Sequence, residues 1–458
     1  MSVSARPYSP GNFLILLTLA FGFVMAMIDV TAVNVALSDI SRDLAIPLSG
    51  LVWVVDGYTL TFAALLLAGG ALADRYGPKA VYQGGLGVFI LGSVLCGMAP
   101  DGGFLTAARL LQGAGAALFM PSSLSLLTHS FDDEQVRTRM LGMWSALVGV
   151  AGASGPLIGG ILVHQFGWRS VFWVNVPLGL LAIVMAQRVL AAPPRQPRDL
   201  SLWSHALGVA ALAGLSFVLI EGPVLGWLSP LVAAAGALAL LAGVLLLQRE
   251  RQGSHPLLPR ALFHSSSFGA ANGVGFLINF SVFGQLFLLS LFLQQAGGAD
   301  ALQSGLRLLP MMAAYTVGNF MAGGIAARYG TRKPMLAGLL TASVMALVLM
   351  GLKPATPYVL LALGTGIMSV AIGIAIPAMT ATVMRVAGKQ HANSAAAALN
   401  ANRQIGALVG VALIGTILHL TADWSLRLPL AYAIMALAYA LAACLVYRHV
   451  RLPQASMA

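Results

Sequence analysis

A carboxylate inside an apolar run needs a chemical reason, and Asp29 is the first such residue in this 458-residue chain. It sits in the stretch MAMIDVTAVNVAL, Met25 to Leu37, at the end of an apolar run that begins near Phe13. Burial favours the neutral form of a carboxylate, which suits a group that must take up and return a proton. Asp29 is therefore the first candidate for a proton carrier, and a structural carboxylate held by a neighbouring helix is the competing role. Asp56, in WVVDGYTL, has Thr59 one helical turn away and is the second candidate, with the same two roles open. In ARLLQGAGAAL, Arg109 and Gln112 are three apart and share one helical face, while Gly113 and Gly115 let another helix approach closely. A buried guanidinium needs a partner. A carboxylate or a carbonyl dipole of the first helices would supply it and tune when that acid releases its proton; a fixed structural pair suits the same residues.

Three further groups are candidates for parts that move or bind. GVAGASGPLIGG places Gly149, Gly152, Gly155, Gly159 and Gly160 along one helix with Pro156 in the middle, a pattern that permits tight packing and a bend, with or without a switching role. GGALADRYGPK puts Gly70, Asp74, Arg75, Gly77 and Lys79 at a membrane edge, where the charges suit either a gating latch or a simple anchor. Flexible thioethers, Met25 among them, suit a pocket for varied apolar ligands as well as ordinary packing. Asn34, Gln112, Arg403 and Gln404 are the polar candidates for lining a substrate cavity.

These residues must be positioned by membrane helices. The chain is 59% hydrophobic and only 9% charged, with a mean hydropathy of +0.87, far from the balance of a soluble domain. Apolar runs long enough to cross about 30 Å of hydrocarbon recur along it. We place spans at 13–37, 50–72, 79–98, 103–127, 140–163, 168–190, 203–221, 226–247, 268–294, 305–327, 334–352, 357–382, 397–419 and 428–447. The first follows Arg6 like a signal peptide but reads as an uncleaved span, because similar runs follow it.

An even number of spans puts both termini on one side. Arg42, Arg169, Arg307, Lys353 and Arg427 fall on one side, Arg109 and Arg403 fall inside spans, and the other basic residues, from Arg6 to Arg451, fall on the opposite side. The positive-inside rule makes that basic side, and both termini, cytoplasmic. The same rule accounts for the net charge of +11 without nucleic acid.

AAPPRQPRDLSLWSH, Ala191 to His205, reads as a linker, and a second polar stretch runs from Gln248 to Ser267. The organisation expected is a six-helix bundle over 1–190, a linker with two inserted spans over 191–267, and a second six-helix bundle over 268–458. GALADRYGPK from Gly70 recurs as GGIAARYGTRK from Gly323, an offset of 253 residues, in the loop after the second span of each half. Repeated halves are typical of secondary transporters, whose substrate site lies between them at the midplane. Cys96 and Cys444 lie apart in apolar runs, and there is no phosphate-binding GxxxxGK[ST] loop, no HExxH and no His/Cys cluster. Neither an enzyme, a metal site nor an ATP-driven pump is expected, and no cofactor.

Together these motifs resemble the major facilitator superfamily, in particular its fourteen-helix drug:proton antiporters, the group of multidrug and methylenomycin-type resistance exporters, over residues 10 to 450. GGALADRYGPK is similar to its signature loop, ARLLQGAGAA to its fourth-helix motif and GASGPLIGG to the fifth-helix motif of exporters. IDVTAVNVAL and GWRSVFWVNVPLG are similar to the first- and sixth-helix signatures of the fourteen-helix group. The resemblance implies an all-α polytopic membrane protein with the major facilitator fold, two six-helix bundles plus two inserted helices, monomeric, in a bacterial inner membrane. It assigns proton coupling to Asp29 and Arg109, switching to Gly155 with Pro156, and gating to Asp74 with Arg75. The activity implied is export of small amphipathic compounds, such as antibiotics or toxic metabolites, against protons. A dedicated metabolite transporter, importers included, and a transport-inactive receptor or scaffold are the alternatives. The chain departs from the pattern in having Ala327 where the first-half loop has Asp74, and in having no acid within the later spans, where some exporters of divalent cations carry one. Arg403 and Gln404 would instead suit an anionic or neutral polar group on the ligand.

Overall fold

A computed structural model describes residues 10–131, 133–193, 201–252, 258–259, 261–262 and 265–450. Parts of both predicted polar stretches, residues 194–200, 253–257, 260, 263 and 264, lie outside these, as do Arg6, Arg195, Arg198, Arg260 and Arg451. Fourteen helices long and apolar enough to cross a bilayer follow one another: α1 (Gly11–Leu44), α2 (Leu48–Tyr76), α3 (Pro78–Gly97), α4 (Gly102–His129), α5 (Glu134–Phe166), α6 (Ser170–Val189), α7 (Leu202–Leu225), α8 (Pro230–Gln252), α9 (Ser266–Gln295), α10 (Ala301–Tyr329), α11 (Arg332–Leu349), α12 (Tyr358–Gly388), α13 (Ser394–Leu420) and α14 (Trp424–His449). Each corresponds in order to one predicted span. The chain is a multi-pass membrane protein.

Several helices run beyond their apolar cores because polar residues satisfy the ends. α1 continues to Leu44 with Arg42 paired to Asp39 at 3.2 Å. α5 begins at Glu134, where Asp133 accepts from the backbone N–H groups of Gln135 and Val136. Asp101, Asp300 and Asp423 cap α4, α10 and α14 in the same way. α6 is irregular at Val174, next to Trp173, whose carbonyl Pro177, one turn further on and lacking an N–H, cannot bond.

Glycines set the helix pairings, repeated in the two halves. In the first, a side chain at Gly85 would strike Phe119 N and Gly115 O, bringing α3 onto α4, and one at Gly159 would strike Ala32, bringing α5 onto α1. In the second, Gly338 meets the Ala371 carbonyl, so that α11 lies on α12, and Gly410 meets Phe280, so that α13 lies on α9. The sequence repeat has a geometric counterpart. Gly77 (φ 97°) turns α2 into α3 and Gly330 (φ 72°) turns α10 into α11, both in backbone that glycine alone adopts readily. Lys79 Nζ then donates to the carbonyls of Gln187 (3.1 Å) and Leu190 (2.7 Å) at the end of α6, while Arg332, 253 residues on, donates to Tyr447 O (2.7 Å) at the end of α14.

The halves meet along a seam at the end away from these basic turns. Gly160 stands against Ala301 O, Gly305 against the Pro156 carbonyl, and Gly415 against Val52. Gln294 Nε2 donates to Val35 O at 3.0 Å. The inserted pair packs on itself at Gly214, and α7 then bridges both halves: Trp53 of α2 donates to Glu221 Oε1 (2.7 Å), and Thr416 of α13 donates to Leu219 O (3.0 Å). α8 turns most of its surface outward, with Leu231, Leu238, Leu240, Leu241 and Leu247 exposed, as a lipid-facing helix requires.

Candidate functional site

Asp29 and Arg109 meet inside the first bundle, each 1% exposed. Arg109 Nη1 lies 2.6 Å from Asp29 Oδ2 and 2.6 Å from Gln112 Oε1, and its Nε donates to Val54 O at 3.0 Å. The other carboxylate oxygen accepts from Gln112 Nε2 (2.9 Å) and Asn175 Nδ2 (2.8 Å). Gln112 also donates to Ser93 Oγ at 2.8 Å. The guanidinium carbon sits 4.6 Å from the centre of the Tyr58 ring. Side chains of α4 and α6 thus converge on one carboxylate of α1, and Ser93 of α3 accepts from two of them. Removing either charge leaves the other buried and uncompensated, at a cost of about 3–5 kcal/mol.

Asp56 is separate. It is fully buried, and neither carboxylate oxygen has a hydrogen-bond partner among the described residues. It lies one turn beyond Val52, which packs on Gly415 of α13, and Trp53, which bonds Glu221 of α7. The α4 side of α2 is taken by Gly57 and Tyr58, next to Arg109. Asp56 therefore faces the seam and not the ion pair.

A cavity of about 190 Å³ lies between the halves at mid-depth. The first half contributes Met27 and Thr31 from α1 and Val148, Gly149, Gly152 and Ala153 from α5; the second contributes Asn279, Gln285, Tyr315, Ser369, Arg403 and Tyr439 among others. Of the residues predicted for a cavity, Arg403 lines it. Met25 packs in the first bundle beside Gly179, Asn34 is buried with its amide on Val30 O, Gln112 belongs to the ion-pair network, and Gln404, half-buried, is not on the wall. The reason is helical phase: Met27 and Thr31, four apart, look into the cavity, so Met25 and Asp29, also four apart, look into the bundle.

In α5, Gly155 lets Thr31 approach, Gly159 lets Ala32 approach, and Gly160 with Pro156 meets α10. Gly152 lines the cavity, and no atom lies within 4 Å of a Cβ placed there. At the membrane edge, Gly70 is open, Arg75 stacks on Tyr76 at 5.5 Å, and Lys79 closes α6; Asp74 is partnered. Two members of the network were not expected from the sequence: Asn175, which donates to Asp29, and Ser93, whose hydroxyl accepts from Gln112 and Asn175. For Asn175 the signal was there, a carboxamide within a span; Ser93 carries none.

The model of the Major Facilitator Superfamily matches residues 19–411 and, in a second match, 271–456. The Methylenomycin A resistance protein of Bacillus subtilis (strain 168) is 50% identical over 434 residues, 94% of this chain and 93% of that protein. The protein of the same name from Streptomyces coelicolor is 46% identical, over 95% of this chain and 92% of its own. The Multidrug resistance protein Stp of Mycobacterium tuberculosis (strain ATCC 25618 / H37Rv) is 33% identical over 89% and 76%. Among solved structures, a bacterial homolog of the human lysosomal transporter Spinster, inward-facing and unoccupied, superposes with a TM-score of 0.70 at 17% identity, covering 96% of this chain and 97% of that one. With the fold, the paired halves and these relatives in agreement, the chain belongs to the Major Facilitator Superfamily.

Proposed function

We propose that the protein is a proton-coupled antiporter that exports small amphipathic compounds, antibiotics or toxic metabolites, by alternating access. The names of its relatives, resistance proteins for an antibiotic and for multiple drugs, support export. The observation that carries proton coupling is the two-faced α1: Asp29 on one face is held by Arg109, while Met27 and Thr31 on the other line the cavity, and Thr31 also abuts Gly155 of α5. Protonating Asp29 removes its charge from Arg109, loosens the grip of α4 and α6 on α1, and so changes the helix that both lines the cavity and packs against the seam helix α5. Asp56, which faces that seam with no donor, is the second place in this half where a proton can reside. By the positive-inside rule the basic turns lie in the cytoplasm, so a seam at the opposite end leaves the cavity for substrate arriving from the cytoplasm or the inner leaflet.

The test uses inside-out vesicles with an acidified lumen and a pH dye. Drug addition to the wild type is expected to release protons, and Asp29→Asn is expected to abolish release while protein remains in the membrane at comparable level. Equal release from both would remove Asp29 from the coupling, and Asp56→Asn would then take its place in the same assay.

A further inference from the structure

The cavity carries charge of one sign. Arg403 is its one charged lining residue among those described, and its Nε is buried without a hydrogen-bond partner. The side chain reaches the wall past Gly275 of α9, where a Cβ would stand 3.3 Å from the Arg403 Cγ, so the missing side chain on α9 makes room for it. A second amide on the same wall, that of Gln285, stands beside the Tyr432 hydroxyl. The remaining wall is thioether and aromatic, with Met27, Met311, Met368 and Phe283. The guanidinium is half-buried, and a planar anion that accepts from its fork would partner the Nε that no protein group meets.

We propose that this site selects small amphipathic monoanions bearing a carboxylate, the head group on Arg403 and the Gln285 amide and the hydrocarbon body against the Met and Phe side chains. A single cation with neutral donors around it fits one negative charge better than a phosphate dianion, and no acid is present to hold an ammonium group. The proposal rests on the exporter reading and narrows it. It also fixes the electrical sign of the cycle: an anion leaving while a proton enters carries net positive charge inward, so an inside-negative potential drives export.

The probes are matched acids, amides and amines on short phenylalkyl chains, titrated against the purified full-length protein. The wild type is expected to bind the acids at least tenfold tighter than the matching amides and amines. Arg403→Gln should erase that preference, and Arg403→Lys, which keeps charge but loses the fork, should retain part of it, with thermal melts checking that both variants are folded. No preference for acids in the wild type, or a preference that survives Arg403→Gln, overturns the proposal. The same compounds in the vesicle assay separate the two readings. Proton release by amides or amines, unaltered in Arg403→Gln, leaves antiport standing and removes the carboxylate class. Tight, Arg403-dependent binding of acids with no proton release leaves the class standing and removes antiport.

Discussion

Asn175 shows what a neutral residue contributes to a buried charge. Its amide supplies one of the donors to Asp29 Oδ1, from a helix that otherwise touches α1 only by packing. Replacing it by alanine leaves the Arg109 contact but removes a hydrogen bond to an ionised group, worth roughly 1–3 kcal/mol. Asn175→Ala is therefore expected to lower drug-driven proton release about tenfold or more at equal protein level, and transport at the wild-type rate would show that this partner does not tune the pair. The pair itself was legible in the sequence, because a carboxylate and a guanidinium in apolar runs are too costly to be incidental. Which face of α1 carried it was not. Its apolar residues surround the helix, so no periodicity separates Met25 from Met27, and only the structure shows that Met27 is the one on this cavity wall. Ser93 was illegible for another reason: serine within a membrane helix usually bonds its own backbone, as Ser122 does to Leu118 O.

At the scale of the helix, α5 is the element on which the two faces of the mechanism converge. GASGPLIGG announced close packing, yet the sequence could not say against what. The structure divides the motif: Gly155 and Gly159 admit α1, Gly160 and Pro156 admit α10 across the seam, and Gly152 opens to the cavity. Equal glycines thus predict unequal effects. A valine at Gly155 collides with the Thr31 side chain and separates α1 from α5, an overpacking cost of about 1–3 kcal/mol laid on the contact that links ion pair to seam. Gly155→Val should abolish efflux with the protein still in the membrane. Gly152→Ala meets no atom within 4 Å and should retain at least half of the wild-type rate. Equal behaviour of the two variants in vesicle efflux would mean that the motif acts only as a uniformly flexible helix. Span ends are less legible than span cores, because capping by Asp133 or the Asp39–Arg42 pair extends helices through residues that hydropathy counts as loop.

For the molecule as a whole, hydropathy alone yields the number and order of the helices, since in lipid each span must satisfy its own backbone. The arrangement of the halves depends on contacts distant in sequence, and no local pattern encodes that Val52 meets Gly415 or that α7 lies across both halves. If the halves rock as proposed, α2 and α13 must part at this end. A Cβ built at Gly415 stands 3.6 Å from the Val52 Cβ, within the range a disulfide spans, and replacing Val52 removes the methyl group that would otherwise crowd it. In a background of Cys96→Ala and Cys444→Ala, the pair Val52→Cys with Gly415→Cys should form a disulfide on oxidation. Efflux should then fall more than tenfold and return on reduction. A cysteine placed at Gly149, on the cavity wall, should still react with a reagent supplied from the side of the basic turns while the seam is locked. Full-rate efflux through the oxidised protein would mean that α2 and α13 stay together throughout the cycle, and that substrate leaves by a route which does not open this seam.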